Sequence, residues 1–127
     1  MKTKEHILYL GNYLDERIVK ERNLPTSNVA GTNRIQRLSE ALSLYYSIIV
    51  VSPGVSLRLK QNKSHFYLRS KWHHHNKVKI FFSQTVSVPY LSVFYSYVSY
   101  FFSLLILIRR TKTKKIIIYN FDPLFVF

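Results

Sequence analysis

Apolar and polar positions fall into short blocks with different rhythms. Residues 6–11, His-Ile-Leu-Tyr-Leu-Gly, form a brief apolar run stopped by glycine, the pattern of a buried strand. Residues 12–30 carry no clear period and contain the breaker Asn23-Leu24-Pro25-Thr26-Ser27-Asn28, which predicts a long loop. Ile35, Leu38, Leu42 and Tyr45 then recur at helical spacing, with Arg34, Gln36, Arg37, Ser39, Glu40 and Ser43 mainly off that stripe. The spacing predicts a helix over 33–46, capped by Thr32 and laid on a sheet through one face. Ile48-Ile49-Val50-Val51 is β-branched without alternation and ends at Ser52-Pro53-Gly54. Such a run reads as a strand buried on both faces, the kind parallel sheets contain. Strand, loop, helix and strand make a βαβ unit, whose crossover is right-handed almost without exception.

Residues 55–87 are less regular. Val55–Lys60 alternates as a half-exposed strand would, and His65–Arg69 and Lys77–Phe82 are further strand candidates. A smaller antiparallel element is expected within 55–70, and the histidines at 73–75 read as a polar loop. After Lys79 the next charge is Arg109, so 29 consecutive residues are uncharged. Pro89 suits the first turn of a helix running to 108, and Ser92, Ser96, Ser99 and Ser103 place small residues along it. Lys114–Phe121 predicts a last strand, halted by Asp122-Pro123. The expected fold is α/β, a Rossmann-like parallel sheet with flanking helices. Its strands lie near 6–11, 48–52, 78–82 and 115–121, its helices near 33–46 and 89–108.

Charge narrows the chemistry. The 127 residues carry 19 Lys plus Arg against 6 Asp plus Glu, a formal charge of +13. Between Glu40 and Asp122 lie 81 residues without a carboxylate, so paired-acid catalysis and an oxygen-ligand metal cage have nothing to work with there. The basic surface suits anions: nucleic acid, lipid headgroups or phosphate-bearing substrates. With no cysteine, disulfides, Cys-based zinc fingers, iron–sulfur sites and thiol nucleophiles are excluded. Adjacent residues of a strand point to opposite sides, so His73, His74 and His75 do not converge on one ion, and no metal is expected. The apolar residues before Gly11 are too few for a signal peptide, which leaves a cytoplasmic start as the default.

The order Ile7–Gly11, Ala30-Gly31-Thr32-Asn33-Arg34 opening a helix, then Val50-Val51-Ser52-Pro53, resembles the start of GT-B glycosyltransferases, in particular family 4. The helix Arg34-Ile35-Gln36-Arg37-Leu38-Ser39-Glu40-Ala41-Leu42 is similar to that family's R-x-x-x-L-x-x-A-L pattern. The resemblance implies sugar transfer from a nucleotide-sugar donor to a glycan or lipid-linked acceptor, in cell-surface polysaccharide synthesis, without a cofactor. It implies that Gly31, Thr32 and Asn33 line the cleft between two domains, where helix-terminal N–H groups meet phosphate oxygens, and that loop 12–30 meets the acceptor. It also implies that residues 1–127 form an incomplete acceptor-side domain. The donor-binding domain is missing, the apolar Leu124-Phe125-Val126-Phe127 end marks a truncated product, and the chain is inactive alone. No catalytic base emerges: His6 and His65 are the only histidines outside the triple run, and neither is expected at a strand's carboxyl end.

Two other classes compete. Residues 88–108 would span roughly 31 Å as a helix, enough to cross a bilayer core. With Arg109-Arg110 at its end, the segment could anchor a non-enzymatic basic protein, or lie peripherally at the inner face of the membrane. Tyr90, Tyr95, Tyr97 and Tyr100 inside the run argue against spanning. Phe66, Tyr67, Trp72 and Phe81 among Lys and Arg would suit single-stranded nucleic acid, but no recognised binding signature accompanies them.

Overall fold

In the computed structural model, which describes residues 3–22, 29–53, 67–86 and 91–119, the apolar runs become strands and the periodic segments helices. The strands are β1 (His6–Leu10), β2 (Ser47–Ser52), β3 (Tyr67–Leu68), β4 (Lys71–His75), β5 (Val78–Phe82), β6 (Thr85–Val86) and β7 (Lys115–Ile118). The helices are α1 (Glu16–Arg22), α2 (Val29–Leu42) and α3 (Leu91–Thr111). Five strands form one sheet in the order β4-β5-β2-β1-β7, and β3 pairs with β6 in a separate two-stranded piece.

The fold is α/β with a mixed sheet, not the fully parallel one expected. β5, β2, β1 and β7 are parallel, while β4 runs antiparallel to β5 at the edge. A two-residue turn, Asn76-Lys77, joins β4 to β5, and a link that short can only make an antiparallel neighbour. Asn76 supplies the left-handed residue this turn needs, with φ 51°. The histidine run is therefore a strand and not a loop, and it alternates: His73 is buried and His74 exposed.

Both sheet faces are covered, so β1 and β2 are buried almost throughout. Ile7, Tyr9, Ile48, Val50, Val78, Ile80 and Phe82 point to one side, where Ile18 of α1 and Ile35 of α2 meet them. Leu8, Leu10, Ile49 and Val51 point to the other, against Tyr100 and Leu107 of α3. The expected α2 stripe is rotated. Ile35 is buried and Leu42 packs against the core, but Leu38 is 45% exposed while Thr32 and Ser39 face inward; the helix ends at Leu42, so Tyr45, 74% exposed, lies in the turn beyond it. These small hydroxyl residues let the helix lie close to the sheet, which a row of leucines would hold off.

Helix α2 also starts earlier than predicted, so Thr32 lies inside it and is not its cap. The loop expected over 12–30 contains α1, whose cap is Asp15: its Oδ1 accepts the Ile18 N–H at 2.8 Å. Helix α3 ends where Lys112 takes a φ of 51°, the left-handed stop more often supplied by glycine. No helix among the described residues is long and apolar enough to cross a membrane. The spanning anchor over 88–108 is thus replaced by a helix packed on the sheet. The strand expected at 55–60, Phe66, His65, Pro89, Tyr90 and the chain after Tyr119 lie outside the described residues.

Candidate functional site

Taken in chain order, the four parallel strands lie third, second, first, fourth across the sheet, so the direction of progress reverses between β1 and β7. Open α/β sheets bind ligands in the crevice beyond the carboxyl ends of their strands, at such a reversal. The two halves of this carboxyl edge are built differently.

Over β2 and β5 the edge is filled by Arg22, the last residue of α1. Its guanidinium donates to the carbonyls of Pro53 at 3.1 Å, Arg69 at 2.9 Å and Ser83 at 2.9 Å, and lies 5.7 Å from the centre of the Phe82 ring. Only 4% of Arg22 is exposed. Burial pulls its pKa down from 12.5 to about 10, so it stays a cation at neutral pH. The side chain ties three segments together where a ligand would otherwise enter.

Over β1 and β7 no described side chain takes the place that Arg22 holds over β2 and β5, and the loop beneath is pinned by hydrogen bonds. Tyr13 and Leu14 are buried and held by paired hydroxyl clamps. Ser52 Oγ accepts the Tyr13 N–H at 3.0 Å and donates to the Tyr13 carbonyl at 3.1 Å. Thr32 Oγ1 accepts the Leu14 N–H at 2.9 Å and donates to the Leu14 carbonyl at 3.2 Å. Gly11 ends β1, and a Cβ there would sit 2.7 Å from Ile35 Cδ1. That glycine serves the close approach of α2 to the sheet.

The three residues singled out by sequence all lie in the opening turns of α2, at this edge, but they do different things. Thr32 is buried in its clamp, Gly31 is half-buried and Asn33 is exposed. Sequence reasoning missed Arg34, whose Nη1 reaches the Tyr119 hydroxyl at 3.5 Å across the β1–β7 end of the sheet. Tyr119 stacks tilted on Tyr9, ring centres 6.3 Å apart, and its N–H continues the ladder to Leu10 O at 2.9 Å. The usable surface of the site is therefore the first turn of α2, Asn33, Arg34 and the Tyr119 hydroxyl. The missed signal was Arg34 itself, a basic residue one position past the start of the helix expected over 33–46.

The remaining candidates lie elsewhere. His73 Nε2 is 3.4 Å from Glu21, and its ring packs edge-on against Phe82. His75 contacts Gln36 at 2.6 Å and Glu40 at 3.1 Å beside the β4–β5 turn. Among the described residues no three His, Asp or Glu side chains converge in a way that could hold a metal ion. His6 stands at the start of β1, at the opposite edge from the site. Trp72 and Phe81 stack on each other, ring centres 4.9 Å apart. Comparison with known protein families, curated protein sequences and solved structures finds no match.

Proposed function

We propose that this chain is the acceptor-side, Rossmann-like domain of a GT-B glycosyltransferase that uses a nucleotide-sugar donor. The observation that carries the reading is the reversal of strand order between β1 and β7, with Arg34 of α2 reaching Tyr119 just past the carboxyl end of β7 and Thr32 holding the loop that follows β1. The opening turn of α2 carries the positive end of the helix dipole, which favours an anion placed beside it. A diphosphate leaving group gathers negative charge as the sugar departs, and fixed donors aimed at it lower that barrier without a metal. Arg34 adds a full charge on the same side, and Asn33 an amide. Thr32 contributes rigidity: its hydroxyl holds Leu14 and keeps the β1 loop in place. The sugar nucleotide itself would be held mainly by a second domain across the cleft. A glycan or lipid-linked acceptor would lie along the β1 side, and the chain would work from the cytoplasmic side.

The test is a titration of the isotopically labelled chain with uridine diphosphate and with inorganic pyrophosphate, read as amide shifts. At millimolar ligand the amides of Ala30, Gly31, Asn33 and Arg34 should move, and Arg34→Gln should weaken binding several-fold. Shifts confined to the lysines of β4 and β5, or no shifts at all, would overturn the reading.

A further inference from the structure

Helix α3 has two opposed faces. Ser96, Tyr100 and Leu107 turn inward, with Ser96 Oγ bonded to Thr85 Oγ1 at 2.5 Å and the Tyr100 hydroxyl donating to Val51 O at 2.9 Å. The outward face carries Phe94 (69% exposed), Val98, Phe101 (58%), Phe102 (58%) and Leu105 at the spacing of one continuous stripe. Ile116 and Ile118 of β7 add exposed apolar side chains on the same side of the molecule: they pair with Leu8 and Leu10, so they lie on the α3 side of the sheet, and both are about half exposed. A row of large exposed apolar side chains along one helix face is the kind of surface that marks an interaction site.

The charge around the stripe identifies the partner. Arg109 continues it at the helix end, and Arg110, Lys112 and Lys114 follow, all exposed. The described carboxylates sit elsewhere: Asp15, Glu16, Glu21 and Glu40 on the layer of α1 and α2, and Glu5 paired with Lys115 at 3.2 Å. A second copy of the chain would bring two such cationic ends together with no described acid on the face to meet them. A protein partner would need an acidic rim around an aromatic-sized groove. A bilayer with anionic headgroups supplies negative charge and an apolar interior at once.

We propose that the outer face of α3 docks the protein in the plane of an anionic membrane. Phe94, Phe101, Phe102 and Leu105 enter the boundary between headgroups and acyl chains, and Arg109, Arg110 and Lys112 pair with lipid phosphates. Tyr95 and Tyr97 flank the stripe at the depth where amphipathic rings sit. A groove of about 270 Å³, lined by Tyr95, Ser99, Phe102, Ser103 and Ile106, runs along the same flank and is open to an acyl chain. The inference stands apart from the sugar-transfer reading, because it uses a different surface and would survive failure of the diphosphate titration.

The experiment is co-flotation of the full chain with vesicles of phosphatidylcholine alone and of phosphatidylcholine mixed with phosphatidylglycerol. Binding to the mixed vesicles, falling as salt is raised, is expected. Arg109→Gln with Arg110→Gln should weaken it by roughly twenty-fivefold, about fivefold per charge. Phe101→Ser with Phe102→Ser should remove the binding that persists in high salt. Both pairs are exposed, so circular dichroism should show the fold intact. If the phenylalanine pair does disturb it, Phe94→Ser, two turns earlier on the stripe, carries the same expectation. Equal binding to both vesicle types, no binding to either, or indifference to the variants would overturn the proposal. So would a concentration-dependent dimer in sedimentation velocity that the phenylalanine variants abolish, since a second copy would then be the occupant.

Discussion

Thr32 shows how one hydroxyl can decide the geometry of a binding edge. It satisfies both backbone polar groups of Leu14, which are buried and out of reach of water. Thr32→Val keeps the shape and strands both groups, so it should cost about 1–3 kcal/mol by urea denaturation. Thr32→Ser keeps the hydroxyl and should cost well under that, and equal losses for the two variants would show that packing, not hydrogen bonding, holds the loop. Gly11 poses the converse problem, a side chain with no room. Gly11→Ala should cost about 1–3 kcal/mol because the new methyl displaces Ile35 Cδ1. Ile35→Val deletes that atom, so the double variant should be more stable than the sum of the singles by ~1 kcal/mol. A purely additive pair would mean that the backbone, not Ile35, absorbs the clash. Tyr100→Phe should be milder than Thr32→Val, about 1 kcal/mol. The Val51 carbonyl it releases still accepts the Gly11 N–H at 3.3 Å.

Elements whose sequence carries a long periodic or β-branched signal are where the residues place them: β1, β2, β5, β7 and α3 lie within a few positions of their expected ranges. Those defined by a single cap or a short turn were not legible. Helix α1 has only seven residues, and its evidence is one Asp15 followed by Ile18 and Arg22. Its stability comes from docking Ile18 in the core and Arg22 on three carbonyls, contacts made with residues far along the chain. The rotation of α2 was hidden for a related reason. Hydropathy ranks leucine above serine, but distance to the sheet favours the smaller side chain. At the site, Gly31, Thr32 and Asn33 were found as a position, whereas Arg34 needed Tyr119 brought beside it by sheet pairing.

The tie between α1 and β4 has its own pH signature. Lys71, hydrogen-bonded to Glu21 at 2.9 Å, holds the Glu21 carboxyl below its ordinary 4.5, and nearby His73 adds to the effect. A depressed carboxyl stabilises the fold at pH values above its unfolded pKa and loses that contribution as pH falls through the folded one. The pair is partly exposed, so the effect is at most ~1 kcal/mol. Glu21→Gln should therefore lower the urea midpoint at neutral pH, and the difference from wild type should shrink as pH falls below 4.5 and through the lowered folded value. A difference that stays constant into acid would assign the loss to packing.

At the scale of the whole molecule, the sheet grades from a closed centre to an open edge. β1 and β2 have a partner on each side and are covered on both faces, whereas β7 pairs only with β1 among the described residues and exposes Ile116 and Ile118. Opening β7 breaks one ladder and uncovers little new apolar surface. Opening β1 or β2 breaks two ladders and exposes side chains from both cores. Local opening free energy follows what is uncovered, so the amides of Tyr9 and Val50 should exchange only by global unfolding, and those of β7 well before them. Hydrogen exchange followed by mass spectrometry or NMR reads this directly. Adding anionic vesicles should then slow exchange in β7 and leave the centre unchanged, because lipid against Ile116 and Ile118 closes the edge without touching β2. If β7 is as protected as β1 in the free chain, the sheet opens as one cooperative unit, and the exposed isoleucines belong to a stable edge that membrane contact does not need to secure.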